Sequence, residues 1–297
     1  MAIKDKLKDY YLLVKFNLTF MVVFSAVISY LLAPNISYDL KQILLLFLGG
    51  FLVTSSANAI NQVVEKDTDA GMKRTSNRPV AAGRMSENEG WMFSIIAGAF
   101  GVFILWNFFN MSAALLALFS LFLYAFIYTP LKKINSISVL IGAVPGALPC
   151  LIGWVAGADA FSSGGWVLFM LQFFWQFPHF WAIAWLAHAD YTKVGFKLLP
   201  SKSGPTKFTA MQAIMYSLML IPVSLILSLH SIWPQFHFVE MSGRVSLIIV
   251  LLANFFMVWR CVQLYRKMDT ASARRVMFGS YIYLPVVLLA LLGDKIH

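Results

Sequence analysis

The stretch from Asn58 to Arg84, NAINQVVEKDTDAGMKRTSNRPVAAGR, sets hard oxygen donors beside phosphate-binding cations. Asn61, Glu65 and Asp69 are spaced i, i+4, i+8, so on a helix they share one face, drifting about 40° per step. Asp67 points elsewhere unless the helix loosens there, and Gly71 is a natural place for it to end. Carboxylates with an amide beside them suit Mg2+, which keeps several waters and binds through one or two carboxylates plus substrate phosphates. The candidate metal ligands are therefore Asn61, Glu65, Asp67 and Asp69. Lys73, Arg74 and Arg78 follow directly. Guanidinium forks match phosphate oxygens, and lysine adds a point charge. The expected chemistry is metal-assisted reaction of a diphosphate. A solvated loop of surface salt bridges is the plain alternative. Against it, the carboxylates begin inside the helical register of an apolar run, where they are costly without a role.

A second cluster lies between Trp166 and Pro200. Gln172, Gln176, His179 and His188 sit among many aromatic residues, and the stretch ends at Asp190 and Tyr191. Pro178 removes a rung of the helical ladder and predicts a kink. His179, in an apolar environment, is a functional candidate. Its structural alternative is a packed imidazole bonded to a carbonyl that Pro178 frees. His188 reads as an ordinary interfacial residue, and His230 and His237 fall in a loop on the opposite side from the acidic cluster. Asp190 is a lone carboxylate; opposite the first cluster it would complete a two-metal diphosphate site, with Lys193 and Lys197 on phosphate. In YTPLKK, Tyr128 with nearby Trp and Phe rings would stabilise a developing allylic cation.

These residues need a scaffold, and the composition says which kind. The 297-residue chain is 60% hydrophobic and 12% charged, with a mean hydropathy of +0.74. A soluble domain carries roughly 25% charged residues, so a water-soluble globule is excluded. Nine apolar runs can each cross a bilayer as a helix: 13–33, 42–64, 91–109, 112–129, 136–157, 165–188, 208–229, 243–264 and 275–293. The expected fold is an all-α integral membrane protein, one domain over 1–297, with about nine transmembrane helices. The alternating pattern of a membrane β-barrel is absent. No cleavable leader is expected, because the basic MAIKDKLK segment runs into a long first span.

The net charge is +10, and 20 of the 23 basic residues fall in the N-terminus or in loops on its side. The other side keeps Lys41, Arg244 and Lys295. This places the N-terminus in the cytoplasm and both chemical clusters at the cytoplasmic face. The charge is thus an orientation signal, and no nucleic-acid partner is expected. The two richest basic loops stand four helices apart, which hints at a duplicated four-helix unit. Gly142/Gly146 and Gly153/Gly157 read as helix-packing pairs. Cys150 and Cys261 read as reduced packing residues.

Taken together, these segments resemble the intramembrane prenyltransferases of the UbiA-type superfamily, over nearly the whole chain. That family's first motif is an Asn followed at four-residue steps by two Asp; here Glu65 takes the middle place. NRPVAAG, YTPLKK, WQFPHFWAIAW and DYTKVGFKLLP look like the members that act on heme. The second acidic motif is thinner than usual and rests on Asp190 alone. The resemblance implies a helical bundle around a central cavity in a bacterial-type inner membrane. It implies Mg2+-dependent farnesyl transfer from farnesyl diphosphate to a vinyl group of heme b, with addition of water. Asn61, Glu65, Asp67 and Asp69, with Asp190, would hold metal; Lys73, Arg74, Arg78, Lys132 and Lys193 would hold diphosphate. His179 would ligate heme iron or orient the attacking water. A downstream heme A synthase is the partner it implies. A superfamily member acting on a phenolic quinone precursor is the nearest alternative. A secondary transporter is a distant one, since its ionisable groups would sit near mid-membrane.

Overall fold

The computed structural model describes residues 3–36, 38–201, 203–227 and 243–295, and Lys202, His230 and His237 lie outside them. Among the described residues the regular elements are all helices. They are α1 (Ile3–Leu13), α2 (Phe16–Leu32), α3 (Leu40–Val64), α4 (Lys66–Ala70), α5 (Glu87–Phe108) and α6 (Met111–Phe122). A π-helical turn (Leu123–Tyr128) leads into α7 (Thr129–Leu131). There follow α8 (Ile137–Ala158), α9 (Ser163–Leu186), α10 (His188–Lys193), α11 (Lys207–Ile226), α12 (Arg244–Lys267) and α13 (Thr270–Gly293). Eight helical segments are long and apolar enough to cross a membrane, and the bent pair α1–α2 makes nine. These match the nine apolar runs to within a turn at almost every end.

Side-chain caps define several helix starts. Ser86 Oγ accepts from the Glu89 N–H at 3.1 Å, Asn110 Oδ1 from Ala113 at 2.8 Å, and Asp269 Oδ1 from Ser272 at 2.6 Å. Each satisfies a donor that the first helical turn leaves open.

α8 is the central helix, with 72% of its apolar window buried. It packs closely on α2 through Gly153, where a Cβ would collide with the Ala26 carbonyl oxygen. Pro149 has no N–H to give the Pro145 carbonyl, and Ser120 Oγ donates to that oxygen instead, at 3.2 Å. Bilayer interiors offer no water for such a group, so a neighbouring helix must supply the donor. α9 is helical through Pro178, and Phe177, Pro178 and Trp181 are buried in the core it builds with α11 and α13. The exterior of α5 and α12 shows large apolar side chains, including Ile95, Phe100 and Leu252, as a lipid-facing surface requires. Cys150 and Cys261 are free and buried, as expected.

One local feature positions the site. α1 and α2 meet at 50°, and Lys15 at the bend has φ 48° and ψ 57°. This left-handed conformation costs a non-glycine residue roughly 1–2 kcal/mol. The bend strands the carbonyls of Leu13 and Val14, while Leu12 O accepts from the Lys15 N–H at 3.3 Å, and α3 answers all three. Gln62 Nε2 donates to Leu12 O and Leu13 O, both at 2.9 Å. Asn58 Nδ2 donates to Val14 O at 3.2 Å, and Thr19 Oγ1 donates to the same oxygen at 2.6 Å.

Candidate active site

α3 and α4 form nearly one helix. The Glu65 N–H donates to Asn61 O at 3.0 Å and the Asp69 N–H to Glu65 O at 2.7 Å, so the four-residue ladder passes through the junction. Asn61, Glu65 and Asp69 therefore stay on one face, and all three are buried. Asp67, off that face, is exposed. Gly71 caps α4, where the sequence placed its end.

Each of the three buried side chains meets a cation. Lys15 Nζ donates to Asn61 Oδ1 at 3.0 Å. Lys132 Nζ donates to Glu65 Oε1 at 2.9 Å. Arg78 Nη1 donates to Asp69 Oδ2 at 2.6 Å. The Asn61 amide also donates to Glu65 Oε2 at 2.8 Å and to Thr129 Oγ1 at 3.4 Å. The loop after α4 fixes Arg78: Thr75 Oγ1 donates to Asp69 O at 3.0 Å, and the Arg78 N–H donates to Thr75 O at 2.9 Å. Arg84 closes that loop by donating to Asp9 Oδ1 at 2.9 Å and to Asn77 O at 2.9 Å. Burial raises the Asp69 carboxyl above its ordinary value, and the Arg78 guanidinium opposes that rise.

The π-helical turn places the opposite wall. Thr129 Oγ1 donates to Tyr124 O at 2.9 Å, and the turn brings Thr129 and Lys132 round to the cluster. Tyr128 lies under Lys132, whose Nζ is 4.6 Å from the ring centroid. The ring fits there because residue 142 is glycine; a Cβ would come within 2.6 Å of it. The two basic loops expected on one side do meet: Arg74 Nη2 donates to Tyr191 Oη at 3.4 Å, and the Lys197 N–H donates to Lys132 O at 2.7 Å. Lys73 and Lys193 are exposed. Asp190 stands outside the buried cluster, with its carboxylate 3.8 Å from Lys193 Nζ.

His179 projects from α9 toward α13. Its ring stacks on Trp175 at 5.0 Å and meets Tyr281 edge-on at 5.1 Å. Its Nδ1 lies 2.8 Å from Ser280 Oγ, so the partner is a hydroxyl on another helix and not a carbonyl freed by Pro178. Ser280 Oγ donates its one hydrogen to Met277 O at 2.6 Å. It must therefore accept from His179 Nδ1–H, which leaves Nε2 with a lone pair. Nε2 has no hydrogen-bond partner among the described residues.

Sequence reasoning missed four of these residues as site members: Lys15, Thr129, Tyr191 and Ser280. Lys15 carried one signal, a charge interrupting the apolar LLVKFNLTF segment. The rest are ordinary residue types whose partners lie far away in sequence.

The donor set can be tested against a divalent cation. Asp69 Oδ1 is buried with no hydrogen-bond partner, an expensive state for a carboxylate oxygen. Asn61 Oδ1, Glu65 and Asp69 are all hard oxygen donors on one face. Among the described residues no three His, Cys, Asp or Glu side chains converge as a metal cage. A partial set of this kind fits Mg2+, which completes its shell with water and phosphate.

A protoheme IX farnesyltransferase from Cytophaga hutchinsonii is 40% identical over 293 residues, covering 99% of each chain. A solved structure described as digeranylgeranylglyceryl phosphate synthase in membranes superposes with a TM-score of 0.78 at 22% identity, covering 98% of both chains. A UbiA homolog from Archaeoglobus fulgidus bound to GPP and Mg2+ superposes with a TM-score of 0.67 at 16% identity, covering 95% of this chain and 99% of that one. At these identities the two structures establish a shared fold. The model of the UbiA prenyltransferase family matches residues 22–283, and the chain belongs to that family.

Proposed function

We propose that the chain transfers a farnesyl group from farnesyl diphosphate to a vinyl group of heme b, with addition of water, giving heme O and diphosphate. The observation that carries the reading is the buried row of Asn61, Glu65 and Asp69, with one oxygen of Asp69 unpartnered among cations. Mg2+ held by these residues would supply neutralisation of the leaving diphosphate. Asp67 and Asp190 complete the proposed metal set as solvent-side carboxylates.

Arg74, Arg78 and Lys132, with Lys73 and Lys193 at the rim, orient the diphosphate and stabilise the charge it gains as the carbon–oxygen bond breaks. The Tyr128 ring faces the allylic cation that remains. The terminal vinyl carbon of heme attacks that cation. Water then adds to the resulting benzylic-type cation beside the porphyrin ring and loses a proton. The bond to Ser280 orients His179 with Nε2 as a Lewis base, and we assign it to the heme iron as an axial ligand. That placement holds the acceptor still while its vinyl edge meets the farnesyl cation.

The sorted basic residues support a site at the cytoplasmic side, and the membrane of the proposed reaction is a bacterial-type inner membrane. The product still carries its methyl groups, so a downstream heme A synthase is the proposed next partner. The test incubates membranes holding the protein with heme b, farnesyl diphosphate and Mg2+, and analyses extracted hemes by mass spectrometry. A hydroxyethyl-farnesyl heme, absent when Mg2+ is chelated, is expected. An unchanged heme, with diphosphate released only when a phenolic acceptor is added, would replace heme with a quinone precursor as the acceptor.

A further inference from the structure

We propose that Lys15 is a substrate-binding residue that gives up Asn61 when a metal–diphosphate complex arrives, and so makes metal binding depend on diphosphate. The inference rests on the reading of the Asn61 row as a metal–diphosphate site. It does not depend on which acceptor is used.

Lys15 sits where the chain changes direction, in a backbone conformation that L residues rarely adopt. Such conformations persist where surrounding structure over-determines them, and they concentrate at functional sites. Here the holding contacts are explicit. Asn58 and Gln62, on the same helix as Asn61, clamp the carbonyls just before Lys15. A third bond, from Thr19 Oγ1 to Val14 O, closes the clamp. The bend is thus built against the helix that carries the metal-side amide, and its result is an ammonium 3.0 Å from Asn61 Oδ1.

That oxygen is the one Asn61 would offer a metal, because its Nδ2 points at Glu65 Oε2. Lys132 on Glu65 and Arg78 on Asp69 repeat the pattern. Every buried oxygen-bearing side chain of the row is held by a cation that also has the chemistry to bind phosphate. A free divalent ion would have to displace these three donors from the row's oxygens with nothing to receive them. A diphosphate reverses this. Its oxygens compete for the three cations and free the row's oxygens for the metal that it brings. Lys15 belongs to this exchange as fully as Lys132 and Arg78.

The experiment uses the full chain in lipid nanodiscs, separates them from solution by size and measures the Mn2+ they retain, with and without inorganic diphosphate and against empty nanodiscs. For the unmodified protein, Mn2+ alone is expected to bind weakly and diphosphate to tighten it by about tenfold or more. In Lys15→Met, Mn2+ alone should bind more tightly, while the gain from diphosphate shrinks about tenfold. Lys15→Gly relieves the backbone and should reproduce the methionine result if the amine is what matters. Lys15→Arg should keep most of the coupling. Thermal unfolding of each variant in nanodiscs shows that the bundle is intact. If Lys15→Met leaves both Mn2+ affinities unchanged, Lys15 only supports the bend and the proposal is overturned. If the unmodified protein shows no diphosphate effect at all, the reading of the row as a diphosphate site fails, and Lys15 falls with it.

Discussion

Asn61 and Asn254 are both buried amides in the same bundle, and their neighbours differ in charge. Asn254 joins α11, α12 and α13. It donates to Ser224 Oγ at 2.8 Å and to Leu220 O at 3.2 Å, and it accepts from Tyr283 Oη at 2.5 Å. Every partner is neutral and no oxygen in the network is left over. Asn61 instead accepts from an ammonium, donates to a carboxylate, and lies two turns from a second carboxylate with an unpartnered oxygen. A closed neutral network is glue between helices, worth about 0.6 kcal/mol for an average bond of this kind in a membrane. An ionic row with one open acceptor offers the hard oxygen donors that we propose for a metal–diphosphate complex. Burial alone would not have separated the two; the presence of charge and the missing partner do.

The largest expected effect breaks the ionic side of this comparison. Asp69→Asn removes the unpartnered carboxylate oxygen and the Arg78 ion pair. Turnover should fall by about a thousandfold, the size of losing a major electrostatic stabiliser, with the bundle still folded. Unchanged Mg2+-dependent turnover would remove the metal role from the row. Next comes the imidazole. His179→Ala should abolish the Soret shift on heme binding while leaving Mn2+–diphosphate binding intact. Ser280→Ala, which loosens the imidazole without removing it, should weaken heme binding by about tenfold, and Ser280→Thr should restore it. A heme spectrum indifferent to all three would leave His179 as packing.

The neutral network gives the opposite signature. Tyr283→Phe leaves Asn254 Oδ1 without its partner, so the protein should lose about 1 kcal/mol of stability. Turnover per folded molecule should not change. A large loss of turnover with no loss of stability would make Asn254 a site residue too. The smallest effect is expected from Asp67→Asn. This carboxylate is exposed, and solvent screens its reach, so turnover should drop about fivefold or less.

Much of this is legible in the amino-acid order. The nine apolar runs mark the spans, because a bilayer imposes length and composition on each helix independently of its partners. The Asn61–Glu65–Asp69 row is legible because helical periodicity is local. Lys15 is not. Its partner lies 46 residues away, and its conformation depends on two amides of another helix. Arg78 can be singled out as a candidate phosphate ligand, yet its pairing with Asp69 follows from the fold of an irregular loop that no periodicity describes. His179 is singled out by its apolar setting. Ser280, which decides its tautomer, is one more serine in an apolar helix until 101 residues of chain fold back against it.

The π-helical turn at Leu123–Tyr128 has a consequence for how this gene tolerates change. A π turn holds one residue more than the α-helix around it. Substitutions within it leave that count intact. Deleting a single codon between 123 and 128 would let the turn relax to regular α-helix with the residues after it nearly in phase. Thr129 and Lys132 would keep their places beside Asn61 and Glu65. The turn is thus a length of slack, and a frame-preserving deletion there is the loss of one residue that this span absorbs with least change to the cluster it faces.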